Sequence, residues 1–191
     1  IGQDVGLHYS TARPAMMPTE RARSHREPIP TTSCKVLVID TGAHRDIVVK
    51  GVPSGPAKAA HALLDSVLAS GSEPDHWDAD GNGVLDAYAG HGTFIAGTFA
   101  NLAPGCTVFA ERGLSSFGDT DDATIARTLL EHFQDDATPE YDIVNMSFGG
   151  FCEDDDPPVA IAQAIATIQA RHRTVSTSND LIQERVVFVA S

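Results

Sequence analysis

The stretch Lys35-Val36-Leu37-Val38-Ile39-Asp40-Thr41-Gly42 decides the fold. Its apolar residues run without polar alternation, which fits a strand buried on both faces, as in a parallel sheet covered by helices. Thr41-Gly42 then supplies a tight turn. Asp40 stands at the end of this strand. An aspartate there can cap the turn that follows. It can equally hold a histidine in one tautomer and stabilise its protonated form.

Moving outward, residues 57–69 space Ala60, Leu63, Leu64, Val67 and Leu68 along one side of a helix, with Pro56 near its start. Residues 71–90 read as a polar, glycine-rich loop, 92–100 as a helix, and 107–110 as a second short strand. A further helix starts near Thr120 or Asp121, with Asp121 and Asp122 at its positive end, and runs through Ile125, Leu129, Leu130 and Phe133. Residues 142–147 form a third strand, and Pro157-Pro158 leads into a helix over 159–170 with Ile161, Ala164, Ile165 and Ile168 as its buried stripe. The last strand is 185–189, and its residues 186–189 form an apolar edge and an expected aggregation site. Strands alternating with amphipathic helices imply an α/β fold whose parallel sheet is covered on both faces. In such sheets chemistry gathers at the carboxyl ends of the strands.

Residues 1–32 are rich in Pro, Arg, Ser and Thr, without periodicity, and read as a poorly ordered leader or linker ahead of a body at 33–191. The 191 residues, 42% hydrophobic and 20% charged, suffice for one sizeable core. A formal net charge of -13 argues against a nucleic-acid partner, which needs a basic face. No apolar run is long enough to span a bilayer, so no membrane insertion is expected. Cys34, Cys106 and Cys152 leave at least one thiol unpaired, and none forms the CxxC pair of a zinc site.

Two more segments carry chemistry. In Gly90-His91-Gly92-Thr93-Phe94-Ile95-Ala96-Gly97 a histidine flanked by glycines opens a helix and can face a cleft. A lone histidine is more often structural. In Val144-Asn145-Met146-Ser147-Phe148-Gly149-Gly150 a strand end can leave its backbone open to an extended peptide. The plain alternative is an ordinary strand exit.

Taken in order, Val38-Ile39-Asp40-Thr41-Gly42, His91-Gly92-Thr93 with Ala96-Gly97, and Asn145-Met146-Ser147-Phe148-Gly149 closely resemble three signatures of the subtilisin-like serine peptidases. Ala103-Pro104 fits the same pattern, and the resemblance covers 34–191. It implies a subtilisin-like three-layer fold, a mostly parallel sheet flanked by helices, and a serine-type endopeptidase acting through an acyl-enzyme. His91 would be general base and then general acid, with Asp40 orienting it. Ser147, Phe148 and Gly149 resemble one wall of the substrate groove and Phe117-Gly118-Asp119 the other, so the partner would be an extended peptide or protein substrate. The chemistry would need no cofactor. The resemblance points to export, while the residues themselves leave the compartment open. It also places Cys34 and Cys106 just before neighbouring strands, where a disulfide is conceivable.

The sequence departs from the family in one respect. The Ala-Gly-Asn segment that supplies an oxyanion donor and the Gly-Thr-Ser motif of the nucleophile are absent, and neither Ser147 nor Ser191 has that context. The 33–191 body is accordingly expected to be an incomplete peptidase domain, truncated before the final strands and the serine-bearing helix, and to show no peptidase activity alone. The other reading is a catalytically dead subtilase-like binding module, with or without calcium dependence.

Asp78-Ala79-Asp80-Gly81-Asn82-Gly83-Val84-Leu85-Asp86 sets oxygen donors at alternate positions, as calcium loops do, with Asp78, Asp80, Asn82, Val84 and Asp86 as candidate ligands. Ala89 stands where such a loop needs a bidentate glutamate. The alternative is a turn held by Asx hydrogen bonds. His44 and His76 read as surface or packing residues. Asp154-Asp155-Asp156 is a solvated loop or a contact for basic substrate residues.

Overall fold

The computed structural model describes residues 4–6, 33–44, 67–69, 71–103, 105–134, 141–150, 156–175, 182–184 and 186–190. In chain order the strands and helices are β1 (Asp4–Gly6), β2 (Lys35–Asp40), α1 (His91–Leu102), β3 (Thr107–Arg112), β4 (Asp119–Asp121) and α2 (Asp122–His132). They continue with β5 (Ile143–Met146), α3 (Val159–Arg171), β6 (Arg173–Val175), β7 (Ile182–Glu184) and β8 (Val187–Ala190).

A four-stranded sheet in the order β3-β2-β5-β8 is parallel throughout, so the fold is α/β. Val36 to Ile39 are fully buried, as a strand covered on both faces requires. Side chains alternate across a strand. Val36 and Val38 accordingly pack with Ala96 and Ala100 of α1, while Leu37 and Ile39 pack with Ile125 and Leu129 of α2 and Ala164 and Ile168 of α3. Helices therefore cover both faces.

The chain order explains which helix takes which face. From β2 the chain moves through α1 to β3 on one side, then returns through α2 to β5 on the other and continues through α3 to β8. Parallel crossovers favour one hand, so a reversal of direction moves the connecting helix to the opposite face. The reversal falls at β2. The crevice beyond its carboxyl end is where open α/β sheets bind ligands.

The expected start of the second helix is explained by its cap: the Asp121 carboxylate accepts from Thr124 N at 2.8 Å, leaving Asp122 in the first turn. The stripe of α3 divides into buried Ala164 and Ile168 and partly buried Ile161 and Ile165. The last strand lies at Val187–Ala190, beginning two residues and ending one residue later than expected. Val186 is buried in the core, whereas Val187 and Val189 are 54% and 44% exposed on the outermost strand of the described sheet.

Four short strands had no sequence signal. Asp4–Gly6, inside the segment read as a leader, pairs antiparallel with Asp119–Asp121, and β6 pairs with β7 in the same sense. The rest of that leader, most of the expected 57–69 helix, Cys152, Asp154, Asp155 and Ser191 lie outside the described residues. At the foot of the sheet Cys34 and Cys106 are disulfide-bonded, with Cα atoms 4.6 Å apart. They precede Lys35 and Thr107, which are partners in the ladder, so register alone brings them side by side.

Candidate active site

Asp40 shares the parity of Val36 and Val38, so its side chain points to the face covered by α1. The first residue of α1 is His91. The two meet: His91 Nδ1 lies 2.8 Å from Asp40 Oδ1. Asp40 is 0% exposed, and its Oδ1 also accepts from Thr41 N at 2.8 Å. The His91 side chain is 31% exposed, so the pair runs from the buried strand end toward solvent.

Two glycines permit the close packing around this pair. A Cβ on Gly92 would collide with the carbonyl oxygen of Gly42 and come 3.1 Å from Asp40 Cβ. Gly42 has φ +95°, and a Cβ there would lie 2.8 Å from Pro74 O. Gly92 of His-Gly-Thr therefore lets the start of α1 rest on the end of β2, and Gly42 of Asp-Thr-Gly lets the Pro74-Asp75 backbone pack against that end.

Asp75 lies behind the pair and carries no sequence signal. It is buried, and its Oδ2 accepts from Gly90 N (2.7 Å), Thr93 Oγ1 (3.1 Å) and Thr41 Oγ1 (3.2 Å). Burial pushes its carboxyl above the usual range; these hydrogen bonds pull it back and the Asp40 charge pushes it up. The imidazole of His91 is also raised, first by its hydrogen bond to Asp40, against desolvation and with the charges of Asp40 and Asp75 assisting.

The folded-state pKa of His91 thus exceeds its ordinary 6.5, so the pair's contribution to stability is complete below about pH 6.5 and is lost as pH rises through the raised value. Asp75 acts with the same sign, but from 3.8 upward. Asp121, whose carboxyl is lowered by its Thr124 hydrogen bonds, acts oppositely: its contribution is lost as pH falls below 3.8. The expected result is a Tm that falls between neutral and mildly alkaline pH, with a shallower fall in Asp40→Asn. Parallel profiles in scanning calorimetry would contradict it.

The strand ends on either side converge here. Asp40 O accepts from Gly113 N and Leu114 N just past β3. Ser147 lies two residues beyond Asn145, as Asp40 lies two beyond its ladder partner Val38. Ser147 Oγ donates to Asn145 Oδ1 at 3.0 Å, and Ser147 and Gly149 are half-buried. The Phe148 side chain is buried in the core with Met146. Phe117 is exposed, and Gly118, at φ +83°, is packed under the Tyr88 ring, where a Cβ would not fit.

In the acidic loop, carboxylate oxygens of Asp78, Asp80 and Asp86 lie within 4.8 Å of one another. The loop's own amides already engage these groups. Asp78 accepts from Asn82 N (3.0 Å) and Gly83 N (2.9 Å), Asp80 from Asn82 N (3.1 Å), and Asn82 Oδ1 from Val84 N (2.7 Å). Asp86 is buried and accepts from Ser116 Oγ (2.6 Å) and Ala79 N (2.8 Å). These Asx bonds account for the loop's shape. Calorimetric titration with calcium is therefore expected to give flat traces for wild type and Asp80→Ala alike. Heat in the wild type that disappears in Asp80→Ala would assign the cluster to the metal.

His76 is exposed, and the His44 backbone N donates to Thr93 Oγ1 at 3.0 Å. No helix among the described residues is long and apolar enough to cross a membrane. What fold and site define is a parallel α/β sheet with a buried aspartate and a half-exposed histidine paired at its reversal point. Neither a protein-family model nor a curated protein matches the chain.

Proposed function

We propose that this chain carries the acid–base part of a serine endopeptidase site of the subtilisin-like class, on that class's three-layer fold. The carrying observation is the 2.8 Å contact between Asp40 Oδ1 and His91 Nδ1 at the carboxyl end of β2. A carboxylate that accepts from Nδ1–H leaves Nε2 unprotonated and able to take a proton. In acyl transfer, a serine hydroxyl attacks the peptide carbonyl as its proton passes to Nε2 of His91. The same proton then goes to the departing amine. Water repeats the cycle to free the acyl group. Asp40 orients the imidazole and stabilises the imidazolium.

The substrate would run extended between the Ser147–Gly149 backbone and the Phe117-Gly118 segment. The ladder of Asp4–Gly6 on Asp119–Asp121 supports this, because it begins where Phe117-Gly118 ends and shows that edge accepting an extended segment. The Cys34–Cys106 disulfide supports an oxidising compartment.

The test is labelling of the product of the whole reading frame with a fluorophosphonate probe. A covalent adduct on one serine, slowed severely by His91→Ala, is expected. No adduct in a folded protein would leave the binding-module reading instead.

A further inference from the structure

The glycines that flank His91 create a difficulty there. Gly90 is the N-cap of α1, at φ 86°, and has no side chain with which to cap it; Gly92 follows His91 directly. The backbone on both sides of His91 is therefore intrinsically free to rotate, and while His91 N donates to Tyr88 O at 3.1 Å, the amides after it have no side-chain cap from Gly90.

Asp75 removes both problems from a distance. Its Oδ2 takes Gly90 N (2.7 Å) and the hydroxyls of Thr41 and Thr93. Thr41 Oγ1 in turn accepts from Gly92 N at 3.0 Å, and Thr93 Oγ1 from His44 N at 3.0 Å. The residues tied to Asp75 are thus the one after Asp40 and, directly or through Thr41, those on both sides of His91. The carboxylate also places negative charge at the positive end of α1. Its Oδ1 is buried and has no hydrogen-bond partner among the described residues, a costly arrangement for a group that only fills space.

We propose that Asp75 is a positioning residue, which clamps the glycine-flanked backbone of His91 so that the imidazole stays on Asp40, and adds its charge behind the pair. The charged groups facing His91 are Asp40 from the end of β2 and Asp75 from the loop. Its catalytic meaning rests on reading His91 as the general base. The experiment observes the imidazole itself and needs no turnover.

His91 is titrated by ¹H–¹⁵N NMR in wild type, Asp40→Asn, Asp75→Ala and Asp75→Asn, with amide dispersion reporting the fold. Wild type should show a low-field Nδ1–H resonance and a midpoint above that of Asp40→Asn. Folded Asp75→Ala should lose the resonance and most of that difference in midpoint, which a merely structural carboxylate would not affect. Asp75→Asn keeps an acceptor oxygen without the charge, so it should retain the resonance with a smaller drop. Wild-type behaviour in folded Asp75→Ala overturns the proposal. If that variant does not fold, Asp75→Asn decides, and an unchanged midpoint overturns it. Failure of the peptidase reading would show separately, as a missing serine adduct, and would leave this titration unaffected.

Discussion

Replacing His91 with alanine in the product of the whole reading frame is expected to lower kcat by about a million-fold, with little change in KM. On the proposed reading Nε2 of His91 takes the proton of the nucleophile, and its loss is felt in the transition state rather than in binding. Asp40→Asn is expected to cost about ten-thousand-fold, because an amide nitrogen facing Nδ1 favours the tautomer with the proton on Nε2. The double variant should be hardly worse than His91→Ala, since residues acting as a unit are not additive. Steady-state hydrolysis of a chromogenic peptide checks all three. Retention of even about a hundredth of the activity in His91→Ala would exclude it as the general base.

Loss of the Cys34–Cys106 bond is the second large effect. The bond joins residues 72 apart, for which loop closure gives a contribution of about 4 kcal/mol. In a chain of this size that corresponds to a fall in Tm of roughly 10 °C. A Cys34→Ser/Cys106→Ser variant should show this fall, and added reductant should reproduce it in the wild type. The disulfide lies at the amino ends of β2 and β3, at the opposite end of the strands from Asp40. Below its lowered Tm, the double variant should therefore keep the wild-type titration of His91. An unchanged melting curve would show that the bond adds nothing in solution.

Much of the frame was legible because local signals agreed with the global arrangement. The run Val36 to Ile39 is buried on both faces as its unbroken hydrophobicity requires, and Asp121 caps the helix that its neighbours' spacing implied. The short strands β1, β4, β6 and β7 were not legible. Each has three residues, too few for periodicity to register, and each forms only because a partner strand meets it. The burial of Phe148 was not legible for a related reason: only the turn of the chain directs its ring into the core.

The sequence by itself determined the α/β class, the placement of Asp40 and His91 at motif-bearing element ends, and the glycines beside them. Those properties follow from residue type and period, which are local. Tertiary structure alone decided that Asp40 and His91 lie 2.8 Å apart, that Cys34 meets Cys106, and that Asp75 joins the site. All three depend on strand order and register, which bring together residues far apart in the chain. Asp75 shows this most clearly: nothing around it in sequence marks it, and only the meeting of β2 with α1 leaves three donors converging on one carboxylate oxygen.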